Sequence, residues 1–140
     1  MPLQTLPVRI LVADDSASFR QALCVLLDQP PMLHVVATAR DGRDAVLASR
    51  RHTPDLVILD VRMPVMGGRQ AAVAIREMLP DSRILLLSVD PEALDGDPQV
   101  AGVMDGFIPK VGLQRTLWPT LERLFPLLTV THDGARSTAS

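Results

Sequence analysis

Cysteine is almost missing from these 140 residues: Cys24 stands alone, so no internal disulfide can form. Basic side chains do not cluster as a nucleic-acid surface would need, and the formal net charge is only −2 at pH 7. No charged-then-apolar leader is present, and no apolar run reaches the length of a bilayer crossing. The expectation is a cytoplasmic protein with no membrane partner and no direct nucleic-acid binding. His34, His52 and His132 are scattered without metal-ligand spacing and take no role. No repeat or linker divides the chain. What is abundant is apolar side chain, 47% of all residues, enough at this length for one domain to bury a core without disulfides or a structural metal.

Three short apolar blocks run without alternation, the signature of strands buried on both faces: Val8 to Ala13, Leu56 to Asp60 and Arg83 to Ser88. Leu33 to Ala39 makes another strand, and Gly106 to Lys110 a short fifth one. Helical spacing fills most of the gaps. Ser16 caps a helix with Phe19, Leu23, Leu26 and Leu27 on one side and Cys24 inside or beside that face, stopped by Pro30-Pro31. Asp41 caps a second helix to about Arg51, and Ala71, Ala74, Ile75 and Met78 mark the inner face of a third. Leu113, Leu117, Leu121 and Leu124 line the last helix, where Pro119 either kinks it or sits in the first turn of a helix starting near Trp118. Between the fourth and fifth strands, Asp95-Gly96-Asp97-Pro98 falls where a helix should have its middle, so a broken or late-starting helix is expected there. Alternating strands and helices predict an α/β fold, a five-stranded parallel sheet with helices on both faces. It spans residues 8–125, with 126–140, including Thr129, Thr131, Gly134 and Ser137 to Ser140, as a flexible C-terminal tail.

Strand ends collect chemistry at one edge. Asp14 and Asp15 follow the first strand, Asp60 ends the third, Ser88 ends the fourth and Lys110 follows the fifth. In open α/β sheets this carboxyl edge is where ligands bind. Carboxylates this close must either raise a pKa or recruit a cation, and an all-oxygen set suits Mg²⁺, with Mn²⁺ as the substitute. A carboxylate can also attack a phosphoryl group while a metal and a lysine neutralise the transferring oxygens and a hydroxyl donates to one of them. Asp60 is the candidate nucleophile. Each residue alone also has a plainer reading. Asp14-Asp15 could be a helix N-terminal acid pair, Asp60 a loop acid, Ser88 a strand-end hydroxyl, Lys110 a solvated charge, and Met63 and Met66 loop packing. Their convergence favours a site.

Val12-Ala13-Asp14-Asp15-Ser16, Leu59-Asp60-Val61-Arg62-Met63-Pro64, Leu87-Ser88 and Gly106-Phe107-Ile108-Pro109-Lys110 together resemble a response-regulator receiver domain of two-component signalling. Their spacing is closest to receivers that precede helix-turn-helix output domains. The resemblance covers about residues 8 to 125 and implies a flavodoxin-like three-layer α/β/α fold with strand order 2-1-3-4-5. It makes Asp60 the phosphoacceptor, and Asp15, Asp60 and the Arg62 backbone carbonyl metal ligands, with Asp14 acting through water. Ser88 would hydrogen-bond the phosphoryl group, Lys110 would pair with it, and Ser88 and Phe107 would form the switch. A lone aromatic on a short strand can equally be plain core, and Phe lacks a hydroxyl, so any switch here works by packing. The implied partner is a sensor histidine kinase; homodimerisation is left open.

Such a chain is a signalling switch that catalyses only its own phosphorylation and dephosphorylation. A rival reading is a non-phosphorylated pseudo-receiver acting as a binding module. An aspartyl-nucleophile phosphatase is a weaker one, since Asp60-Val61-Arg62 lacks the second acid of Asp-x-Asp. Nothing after Pro126 could form a helix-turn-helix, so the receiver either stands alone or is a fragment of a larger regulator. Lys110 is followed by Val111 instead of proline, which disfavours a cis peptide there. The Gly96 to Pro98 interruption falls on the face through which many receivers signal or dimerise. Val89 stands beside the phosphoryl position where a small residue is usual. Val89→Ala should therefore raise the rate at which a small phosphodonor labels the protein; an unchanged rate would refute steric narrowing by Val89.

Overall fold

The computed structural model describes residues 6–94 and 96–128, apart from the side chains of Pro91 and Ala93. Five strands, β1 (Val8–Ala13), β2 (Leu33–Ala39), β3 (Leu56–Asp60), β4 (Arg83–Ser88) and β5 (Gly106–Pro109), form one parallel sheet in the order β2-β1-β3-β4-β5. Register places Ala13 beside Leu59 and Asp60 beside Leu87, so the ends of β1, β3 and β4 come out at one edge. Helices α1 (Ala17–Asp28), α2 (Gly42–His52), α3 (Gly68–Met78) and α4 (Leu113–Leu124) cover the two faces.

Successive strand residues point to opposite faces, which splits the aliphatics into two layers. Ile10, Val12, Leu56, Ile58, Leu85, Leu87 and Ile108 pack with α1 and α4. Leu11, Ala13, Val57, Leu59, Ile84 and Leu86 pack with α2 and α3. β3 is buried at every position, and Asp60 is the polar end of that buried rod.

The expected helix caps are present: the Ser16 hydroxyl accepts from the Phe19 amide and the Asp41 side chain from the Asp44 amide. In α3 the fully buried residues are Ala71, Ala72 and Ile75; Ala74, expected on the inner face, is half-buried because Ala72 takes the inward position. Helix α4 starts at Leu113 and runs through Pro119, so it does not begin near Trp118, and Leu113, Leu117, Leu121 and Leu124 are buried. The Thr120 hydroxyl donates to the Thr116 carbonyl at 2.8 Å, a local bond in the turn where Pro119 has no N–H to give. Within the stretch expected as the tail, Leu128 is buried and its amide bonds to the Phe125 carbonyl at 2.9 Å. Residues 129–140, the rest of that tail, lie outside the described residues. The Lys110–Val111 peptide is trans.

Between β4 and β5 no α-helix forms among the described residues; a single 3-10 turn, Pro91–Leu94, is followed by turns. Leu94 and Val100 still plug the core, at 1% and 0% exposure. Backbone that lacks a helical ladder needs other partners, and Arg76 of α3 supplies one while tying the segment to the turn before β4. Its guanidinium donates to the carbonyls of Val103, Pro80 and Ser82 and pairs with Asp105 at 2.7 Å. Asp105 in turn accepts from the Ile84 amide at 2.8 Å, locking the entry to β5. Arg76→Met, which keeps the stem and removes five donors, should destabilise the fold by about 2–3 kcal/mol, since partly buried carbonyls and a carboxylate lose their partner. Chemical denaturation measures it, and a loss below about 0.5 kcal/mol would contradict the clamp role.

Candidate functional site at the carboxyl edge of the sheet

Asp14 leaves β1 fully buried, Asp60 ends β3 at 6% exposure, and Asp15 is exposed at the rim. A carboxylate oxygen from each of the three lies within 4.8 Å of the others. The Lys110 ammonium enters from the end of β5, 2.7 Å from Asp14 Oδ2 and 3.2 Å from Asp60 Oδ2. The other Asp14 oxygen accepts the Ser16 amide at 2.8 Å, and Arg20 donates to the Asp14 backbone carbonyl at 2.7 Å. One carboxylate thus ties the start of α1 to the lysine.

Burial pushes the Asp60 carboxyl above its ordinary range, and the Asp14 charge pushes the same way. Lys110 and the Arg62 amide, which donates to Asp60, pull only part of it back. For Lys110 burial is the largest influence and acts downward, but contact with Asp14 and the charges of Asp60 and Asp14 outweigh it, so its pKa lies above the usual lysine range. Three carboxylates against one ammonium leave the pocket short of positive charge. The all-oxygen donor set and its close spacing fit a hard divalent cation such as Mg²⁺.

The remaining expected residues are placed less directly. Ser88 is buried at the end of β4, and its hydroxyl donates to the Asp90 carbonyl at 2.8 Å and accepts the Asp90 amide at 3.0 Å, engaged with the chain two residues on. Phe107 is 41% exposed on β5, so it is not core. The Arg62 side chain is exposed. Val89 is 63% exposed, outside the pocket floor.

Two contributors went unread in the sequence. Gly68, at the start of α3, has no room for a Cβ, which would collide with the Asp60 carbonyl oxygen. The constraint on Gly68 is the close return of α3 onto β3, where its amide bonds to the Val61 carbonyl at 2.9 Å. The second is Phe19, whose ring centroid lies 4.4 Å from the Lys110 ammonium. Its spacing marks a core position, and nothing local reveals the cation.

The raised Asp60 pKa has a stability sign. A carboxyl whose folded pKa exceeds its unfolded value costs stability once ionised; the cost is absent below the unfolded pKa and reaches its full size above the folded one. At neutral pH in chelator, Asp60→Asn should therefore be more stable than wild type by about 1 kcal/mol, a typical single-site change. Added Mg²⁺ should raise the unfolding midpoint of wild type and do little for the variant, by preferential binding to the folded state. Equal midpoints in chelator, or equal Mg²⁺ responses, would contradict this account.

The chain matches the family described as response regulator receiver domain over residues 10–121, a span that holds every site residue named above. It is 37% identical over 105 residues to protein-glutamate methylesterase/protein-glutamine glutaminase 2 of Nitratidesulfovibrio vulgaris, covering 74% of this chain and 28% of that protein. The chain thus spans little more than a quarter of the length of that curated relative. Among solved structures, the response regulator domain of Thermotoga maritima CheB has a TM-score of 0.72 at 28% identity, covering 84% of this chain and 92% of the other. The response regulator TrrA of the same organism, solved in complex with Mg²⁺ and BeF, has a TM-score of 0.75 at 29% identity, covering 83% and 97%. With strand order, carboxyl-edge acids and lysine all inside the matched span, this chain belongs to the response-regulator receiver domains of two-component signalling.

Proposed function

We propose that the domain is a phosphorylation switch in which Asp60 accepts a phosphoryl group from the phosphohistidine of a sensor histidine kinase. The observation that carries this reading is the Lys110 ammonium bridging two buried carboxylates, Asp14 and Asp60, at the carboxyl edge. An Asp60 oxygen attacks phosphorus; the new P–O bond forms as the P–N bond breaks, and the electron pair leaves on the imidazole nitrogen. Lys110 then pairs with the phosphoryl oxygens as a point charge. Ser88 exchanges its bonds to Asp90 for one to the phosphoryl group. Asp15, Asp60 and the Arg62 carbonyl, with Asp14 through water, would hold Mg²⁺, which supplies charge neutralisation on the transferring oxygens.

The readout is a population shift at the surface formed by β5 and the β4–β5 connection with its 3-10 turn. Phe107, exposed at 41%, has room to repack there. We place the domain in the cytoplasm, where such a kinase would act; no helix among the described residues is long and apolar enough to cross a membrane.

Incubation with acetyl phosphate and Mg²⁺, read by intact mass, should add one phosphoryl group to wild type and none to Asp60→Asn. Chelator should suppress the adduct. Wild type that gains no mass would leave the domain a pseudo-receiver that works by binding alone.

A further inference from the structure

Lys110 is the only lysine in the chain, against thirteen arginines. Its side chain is 16% exposed and its ammonium is held from two sides. Asp14 and Asp60 take one side at 2.7 and 3.2 Å; the ring of Phe19 takes the other, with its centroid 4.4 Å from Nζ. The placement of that ring traces back to Asp14. Asp14 Oδ1 accepts the Ser16 amide at 2.8 Å, and the Ser16 hydroxyl accepts the Phe19 amide at 3.3 Å. Through one oxygen Asp14 orients the first turn of α1, and through the other it binds the ammonium that the turn's aromatic covers. The circuit Asp14, Ser16, Phe19, Lys110 closes on itself.

Phe19 is only half-buried, at the margin of the core layer shared by α1 and α4, and it lines with Lys110 the apolar cleft between those helices. A leucine would pack there as well. An aromatic adds a negative ring face for a cation, an attraction that strengthens as water is excluded. Lysine is otherwise a point charge on a flexible four-carbon stem, and Asp14 holds it more closely than Asp60 does.

We propose that Phe19 is a positioning residue for phosphoryl transfer: its ring face keeps the Lys110 ammonium poised over Asp60, ready to meet the incoming phosphoryl oxygens. This rests on the reading of Asp60 as phosphoacceptor. Groups held in place before reaction accelerate it because no reorganisation remains to be done in the transition state.

The single lysine makes the test direct. Protein grown with ¹³C-labelled lysine has one lysine ε-methylene signal, and ring current from Phe19 should shift its protons upfield. Phe19→Tyr should keep the shift and Phe19→Leu should lose it. In the acetyl phosphate assay with Mg²⁺, Phe19→Leu should label Asp60 about tenfold more slowly. Phe19→Tyr, which restores the ring face, should return to within about twofold of wild type. A lysine signal unmoved by Phe19→Leu would overturn the proposal, as would a wild-type rate in that variant. Equal slowing in Phe19→Tyr and Phe19→Leu would also overturn it, because bulk packing would then explain the effect. Wild type that takes no phosphoryl group at all would instead overturn the receiver reading on which the proposal stands.

Discussion

One ammonium between two buried carboxylates organises this domain. Remove Lys110 and the pocket holds Asp14 and Asp60 as uncompensated like charges at the ends of adjacent strands. Buried charge without a partner is far more costly than the same charge in water. Even with Lys110 present, the Asp60 carboxyl stays above its ordinary pKa, so the compensation is partial. That residual deficit is what a bound hard cation would relieve. The strands beneath supply the rigidity that keeps the charges from relaxing apart, because β3 is buried along its whole length between two aliphatic layers.

Most of this was legible in the sequence, for a simple physical reason. Strands buried on both faces must be aliphatic, so residues 10–13 of β1, 56–59 of β3 and 84–87 of β4 stand out as unbroken runs, and the first polar residue after each run marks the carboxyl edge. Asp14, Asp60 and Lys110 were found as the terminal words of apolar phrases, and the structure places them within ion-pair distance. What stayed hidden depended on distances between elements remote in sequence. Phe19 fits its helix as a core residue, and only the fold reveals a cation over its ring. Ser88 reads as a hydroxyl at a strand end, but its engagement with Asp90 depends on the turn that follows. Ala74 and Ala72 share similar spacing, and alanine carries too little hydrophobic signal to say which faces inward.

The interrupted segment after β4 shows how a local breaker can be read correctly and its remedy missed. Gly96 and Pro98 forecast a damaged helix, and the structure has a 3-10 turn with further turns in its place. The remedy is Arg76, which ties the end of that segment, through the Val103 carbonyl and Asp105, to the turn before β4, through the Pro80 and Ser82 carbonyls. Arginine suits this work because its planar fork reaches several acceptors in fixed directions. An exposed-looking arginine on an amphipathic helix offers no hint of such a task.

The bonding of Ser88 therefore has a mechanical reading. Its hydroxyl tethers the end of β4 to the connection that follows, engaging both the amide and the carbonyl of Asp90. Asp90 immediately precedes the 3-10 turn, and among the described residues no α-helix follows before β5 to absorb a displacement. Turning that one hydroxyl toward another acceptor lets go of both backbone groups at once. The strand end and the surface segment are geared through a latch with a single tooth.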